Sequence, residues 1–231
     1  AFGDDKHRYP LNVRIVGKAD RPFCDKLRDI GVRIEADPTP HPLHEFSGTY
    51  NKLLAFEGQM QDEARILLDN DIVMVGRPEG LIADAAEFAM AGLADKQRVP
   101  EEIRRDVEQQ LGLTFIPGRW EPYKWRYDAL HAGLPTDASD FFYFNSGVVA
   151  APSTSGLPKL WRDHAFQISE FYGDRYRRQG QRKAFGSDQL SLSTALASAG
   201  RFKLLPEQFN YRVFNFLAGD LAAEDLKMVH Q

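Results

Sequence analysis

Residues 64–75 read ARILLDNDIVMV, an apolar run broken by two carboxylates, Asp69 and Asp71. A short apolar run of this kind reads as a strand buried on both faces, the pattern of a parallel sheet. Two anions at the end of such a strand are costly unless positive charge meets them. In an extended strand residues i and i+2 point the same way, so both carboxylates can face one point. Hard oxygen ligands at that point suit a divalent cation, magnesium or manganese. The plainer alternative is a strand that ends in a solvated turn, and the residues alone leave both open.

Around this strand the chain alternates strand and helix patterns. Residues 11–17 (LNVRIVG) have the β-branched content of a strand. Asp20-Arg21-Pro22 opens a helix, with Asp20 as cap, an apolar face of Phe23, Leu27 and Ile30, and a stop at Gly31. Residues 32–35 form a second strand, so the unit is β-α-β and its strands are parallel. The three prolines of residues 37–44 make a loop. A helix over 50–59 leads into the acidic strand. Further on come a strand at 87–93, a surface helix over 100–111 and an irregular aromatic stretch within 112–140. A buried strand at 141–151 (FFYFNSGVVAA) follows, with a polar break in its middle. Helices near 157–171 and 188–199, the latter with Ser187 as cap, precede strand-like pieces at 204–214 and 226–230. The pattern predicts one α/β domain over residues 1–231 with a mixed, mostly parallel sheet flanked by helices.

Composition narrows the function classes. A formal charge of −4 and a pI near 5.9 exclude the electrostatic footprint of a nucleic-acid binder. Cys24 is the single cysteine, so no internal disulfide forms and a reducing compartment is expected. No apolar run reaches the roughly 20 residues needed to span a bilayer. A cytoplasmic protein with at most peripheral membrane contact is expected.

Four polar sites fall where buried elements end: Asp69/Asp71, Asn145-Ser146-Gly147, Asp188-Gln189 and His230. Ligands of open α/β sheets bind outside strand ends. Gly147 can admit a ligand or a second backbone, or the tripeptide can be a β-bulge with a self-satisfied Asn145. Asp188-Gln189 can serve chemistry or simply favour a helix N-terminus. His230 can be structural, although neutral imidazole is a common third ligand beside two carboxylates.

The ordered series NKLLAF (51–56), LLDND (67–71), YFNSGV (143–148), DQ (188–189) and KMVH (227–230) resembles a known family over nearly the whole chain. It is similar to the retaining nucleotide-sugar glycosyltransferases of the GT-A fold, the family-eight-like group that includes glycogenin and lipopolysaccharide galactosyltransferases. The resemblance implies that Asp69, Asp71 and His230 hold Mn²⁺ (or Mg²⁺) against the diphosphate of a donor, usually UDP-linked. Lys52 would add positive charge beside the phosphates or sugar. Asn145, Ser146, Gly147, Asp188 and Gln189 would line the donor sugar, with Asp188 as candidate nucleophile and Gln189 as electrostatic support for an oxocarbenium ion. The acceptor would be a saccharide, a protein or a lipid-linked sugar.

The chain enters the family pattern at its second strand, so a first βα unit is expected to be missing, and it stops one residue past His230. Trp120, Tyr123, Trp125 and Tyr127 could stack on an acceptor or pack an insertion. The basic run Arg175, Arg177, Arg178, Arg182 and Lys183 could meet an anion or be solvated. His41 and His44 lack metal spacing and receive no role. Two other readings stand beside this one: a non-catalytic sugar-nucleotide-binding relative, and a haloacid dehalogenase-type phosphatase with Asp69 as nucleophile.

Overall fold

The computed structural model describes residues 10–45, 47–57, 63–94, 99, 101–117, 141–179, 188–212 and 227–230. Strand β1 (Asn12–Val16), helix α1 (Arg21–Asp29) and strand β2 (Arg33–Asp37) form the expected unit, with β1 and β2 parallel. Asp20 caps α1 by accepting from the Phe23 N–H at 3.1 Å. Gly31 ends the turn at φ 86°, a conformation that penalises any Cβ. Arg14 ties the unit to α2 (Asn51–Glu57), donating to the Leu54 carbonyl at 2.6 Å while pairing with Asp37 at 2.9 Å.

The largest sheet has the order β3 (Ala64–Leu68), β6 (Phe144–Pro152), β5 (Ala89–Leu93), β7 (Phe202–Leu204). Strand β6 runs antiparallel to both neighbours, and β5 runs parallel to β7. A smaller sheet joins β4 (Ile72–Met74) antiparallel to β9 (Met228–His230), which is parallel to β8 (Tyr211–Arg212). The fold is α/β with a mixed sheet, as expected. Among the described residues, however, antiparallel pairs are as frequent as parallel ones. The apolar runs report burial on both faces and not strand direction, which is why the balance was illegible.

Burial on both faces is most complete at β6. Phe144, Val149 and Ala151 pack with Leu53 and Phe56 of α2, Trp161 of α5 (Leu157–Gln179), and Leu192 and Leu196 of α6 (Asp188–Ala199). Val148 and Ala150 of β6 join Leu81 of α3 (Glu79–Ala85), Met90, Phe209 and Met228 in another cluster. Each large side chain buried this way contributes roughly 1.5–3 kcal/mol. Helix α4 (Glu101–Leu111) buries Ile103 and Val107 against Phe115, Phe141, Tyr143 and Tyr172. Helix α6 is buried almost all round, so its hydroxyls must find partners inside. Ser191, Ser193 and Thr194 donate back to the carbonyls of Asp188, Gln189 and Ser191.

Some boundaries moved. The strand expected at 141–151 begins at Phe144, and the helix expected near 157–171 continues to Gln179. The piece at 204–214 is split into β7, a 3-10 turn (Glu207–Phe209) and β8. Most of the expected 112–140 insertion lies outside the described residues. No described helix is long and apolar enough to cross a membrane.

Candidate functional site

Two departures from regular strand structure build the site. Leu68 of β3 pairs with Val148 of β6, and the Asp69 N–H donates to the Gly147 carbonyl at 2.8 Å. The chain then turns, with the Ile72 N–H donating to the Asp69 carbonyl at 3.2 Å. Asp69 and Asp71 are therefore not alternate residues of one extended strand, as the sequence pattern suggested. A turn between β3 and β4 brings them together in place of the pleat. On the other edge of β6, Ala91 pairs with Val149 but Gly92 pairs with Asn145. Ser146, Gly147 and Val148 are thus extra residues on that side, and such a bulge re-aims side chains. The local reading of Asn145 holds within it, because Asn145 Oδ1 accepts from the Gly147 N–H at 2.8 Å.

Lys52 is the hub. It projects from the first turn of α2, and its Nζ lies 2.7 Å from Asp69 Oδ1 and 2.9 Å from Asp188 Oδ2. It also donates to Ser146 Oγ at 3.1 Å, and Ser146 Oγ donates to Asp188 Oδ2 at 2.5 Å. Asp188 stands at the N-terminus of α6, where the helix dipole favours an anion. Its carbonyl accepts from Trp161 Nε1 at 3.0 Å, which locks the helix start against α5. Phe144 N–H donates to Ser193 Oγ at 3.0 Å and fixes β6 against the same helix. Four elements far apart in sequence thereby converge on one ammonium group.

The electrostatics of this cluster are strongly coupled. Burial works against the Lys52 charge, but attraction by Asp188 and Asp69 outweighs it, and the pKa is raised. Burial raises the Asp69 pKa, against the pull of Lys52, and the charges of Asp188 and Asp71 add to the rise. The Lys52 ammonium is shared by two aspartates, Asp69 and Asp188, and the charge of Asp71 acts on Asp69 beside them. Carboxylate oxygens of Asp69 and Asp71 are the donor type that hard divalent cations take. These residues fit a metal in chemistry. Among the described residues, no group of three acidic, histidine or cysteine side chains is assembled as a complete ligand set. The backbone of His230 pairs with Ile72, next to Asp71, while its side chain lies outside the described residues.

Gln189 shares the first turn of α6 with Asp188 and is partly exposed. Its carboxamide meets no described partner. Sequence reasoning missed Asn210, whose Nδ2 donates to Asn145 Oδ1 at 3.1 Å. The available signal was Gly92 inside a strand, since an interior glycine marks close approach by another group. His41 and His44 do local work: the ring of His41 accepts from the Leu43 N–H, and His44 pairs with Asn51. Trp120, Tyr123, Trp125, Tyr127, Arg182, Lys183 and Ser187 lie outside the described residues, as do the side chains of Arg175, Arg177 and Arg178.

No family model matches this sequence, and no curated protein is similar to it in sequence. Solved structures are similar in fold. An active-site mutant of LgtC aligns at TM-score 0.52 and 16% identity, over 96% of this chain and 75% of that one. The galactosyltransferase LgtC in complex with donor and acceptor sugar analogs gives 0.49 and 15%, over 97% and 77%. The glycosyltransferase GlyE of Streptococcus pneumoniae gives 0.48 and 13%, over 96% of this chain and 47% of that one. The chain has the GT-A glycosyltransferase fold. In that GT-A frame the phosphatase reading loses its scaffold. Asp69 ends a strand that pairs antiparallel with β6, and its carboxylate is held by Lys52.

Proposed function

We propose that this chain is a metal-dependent, retaining glycosyltransferase that moves a hexose from a nucleotide-sugar donor, UDP-linked, to a saccharide, protein or lipid-linked acceptor. The observation that carries this reading is the convergence of Lys52, Asp69, Ser146 and Asp188 at the ends of β3 and α6 within a GT-A fold. Asp69 and Asp71, with His230 as third ligand, would hold Mn²⁺ or Mg²⁺, which supplies Lewis-acid neutralisation of the leaving diphosphate. Lys52 stays charged in this setting and adds a fixed positive group beside the same leaving charge.

In the reaction, the bond from the anomeric carbon to the diphosphate oxygen breaks, a bond to the acceptor hydroxyl oxygen forms, and that hydroxyl's proton passes to the departing diphosphate. Asp188 is the carboxylate that would answer positive charge developing on the sugar. Lys52 and Ser146 both hold its Oδ2, which leaves Oδ1 as the oxygen without a described donor. Gln189 offers a neutral carboxamide on the same turn as an electrostatic partner for the oxocarbenium-like transition state.

Calorimetric titration with UDP in the presence of Mn²⁺ tests this reading, with EDTA and other nucleoside diphosphates as controls. Metal-dependent, uridine-selective binding is expected, and it is expected to vanish in Asp71→Ala while the circular dichroism of the fold is retained. Glycosyl transfer that survives in Asp71→Ala, or wild-type protein that binds no nucleotide, would refute the assignment.

A further inference from the structure

Within the donor site proposed above, one side chain has an orientation that chemistry fixes. A backbone N–H can only donate, so the Asn145 atom that faces the Gly147 N–H must be the oxygen, Oδ1. The Asn210 atom 3.1 Å from that oxygen must then be its amide nitrogen. Asn145 is 2 % exposed, and both bonds engage its oxygen. No described residue accepts from Asn145 Nδ2, so its two hydrogens are left for another acceptor.

The surroundings are built for this contact. Gly92 pairs with Asn145 across the β5–β6 bulge, and a Cβ at Gly92 would lie only 2.9 Å from Asn210 Nδ2. Gly92 has an ordinary backbone conformation, so the space for Asn210 accounts for the missing side chain. Asn210 is itself held, its N–H donating to the Glu207 carbonyl at 3.0 Å. The Lys227 N–H donates to the Gln208 carbonyl at 2.9 Å, which joins this turn to the strand that carries His230.

We propose that Asn210 is a positioning residue: it clamps Asn145 Oδ1 so that the Asn145 carboxamide presents its NH₂ group, and not its oxygen, to a hydroxyl of the donor sugar. This assignment rests on the reading of the site as a nucleotide-sugar site. A hydroxyl can receive that hydrogen bond on either lone pair, so the clamp selects sugars with a hydroxyl in reach over the bare nucleotide.

Asn210→Asp is nearly isosteric but cannot donate. Its carboxylate would attract Asn145 Nδ2, turn the amide over and release the Gly147 N–H. Affinity for UDP with Mn²⁺ is expected to stay within about twofold, because this contact lies on the sugar. The added affinity of UDP-glucose or UDP-galactose over UDP, or turnover at saturation, is expected to fall about tenfold, the scale of one hydrogen bond. Gly92→Ala, which crowds Asn210, is expected to act the same way and serves if Asn210→Asp folds poorly.

Combined with Asn145→Ala, Asn210→Asp should add no further loss, since it acts through Asn145. Additive losses would overturn the proposal. The side-chain NH₂ resonances of Asn145 need no ligand: they should shift in Asn210→Asp and Gly92→Ala, and unshifted resonances overturn the clamp whatever the activity. Wild-type protein that binds none of these nucleotides would instead overturn the donor-site reading, and the assignment of Asn210 to sugar positioning with it.

Discussion

Replacing Lys52 by methionine keeps most of the aliphatic stem and removes the charge at the centre of the cluster. The side chains of Lys52 and Asp188 are only 12% and 5% exposed, and Asp69 is 25% exposed. Deleting one partner of a buried pair leaves the other charge uncompensated, which costs about 3–5 kcal/mol. Asp69 sits on a turn and can recruit water, so the lower end, about 3 kcal/mol, is expected. For a chain of this length that corresponds to a fall of roughly 6–12 °C in Tm. Urea denaturation of metal-free protein at neutral pH measures it directly.

The loss should also depend on pH, and the sign follows from Asp69. Its pKa is already raised in the native state by burial, so the folded protein holds that proton more tightly than the unfolded chain. Ionised Asp69 is therefore a penalty present above its native pKa and relieved as pH falls through it. Without the Lys52 ammonium that penalty grows, and the gap between variant and wild type should narrow as pH is lowered toward 4. If the site takes a divalent cation, added Mn²⁺ should restore more stability to the variant than to wild type, because the carboxylates no longer share an ammonium. A loss below about 1 kcal/mol would place the cluster among solvated surface pairs and refute the argument.

Gln189→Ala should leave donor affinity within a few-fold and lower turnover by about 10²-fold or more, the scale of one transition-state contact. Weakened binding with normal turnover at saturation would remove its catalytic role. His164 lies against Thr194, with Nδ1 at 3.0 Å from Oγ1, and burial lowers its pKa despite the nearby Asp163. The unfolded chain then binds a proton that the native state refuses. Stability should fall as pH drops below about 6.5, and urea midpoints of His164→Gln should show a flatter acid limb; an unchanged limb would contradict this.

The candidate site was legible where residue type alone carries the chemistry. Asp69, Asp71, Asn145 and Asp188 stand out because charge or amide groups fall where apolar elements break or end, whereas Lys52 enters only through the family resemblance. Their convergence was harder to see, since it depends on pairings between strands distant in sequence. The expectation that Asp69 and Asp71 project from one extended strand failed because apolar periodicity does not mark where a strand stops. The turn at Asn70 has no proline or glycine to announce it.

Asn210 and the bulge of β6 show the other limit. Nothing in QFNYR (208–212) distinguishes a surface asparagine from one that bonds Asn145. A bulge likewise leaves no trace in composition, because it is a property of two strands and not of one. The interior glycine at 92 was the readable trace, and it only says that something comes close. What comes close is decided by register: Gly92 opposite Asn145, with Ser146, Gly147 and Val148 as extra residues on that edge, while Ser146 reaches Lys52 and Asp188. A shift of that register by one residue would turn Ser146 away from the ammonium and put a side chain where Asn210 now lies. The bulge is thus the device that joins the Asn145 amide to the charged cluster. Gly92→Ala should disturb the amide without touching the Lys52 ion pairs, whereas Lys52→Met should do the reverse.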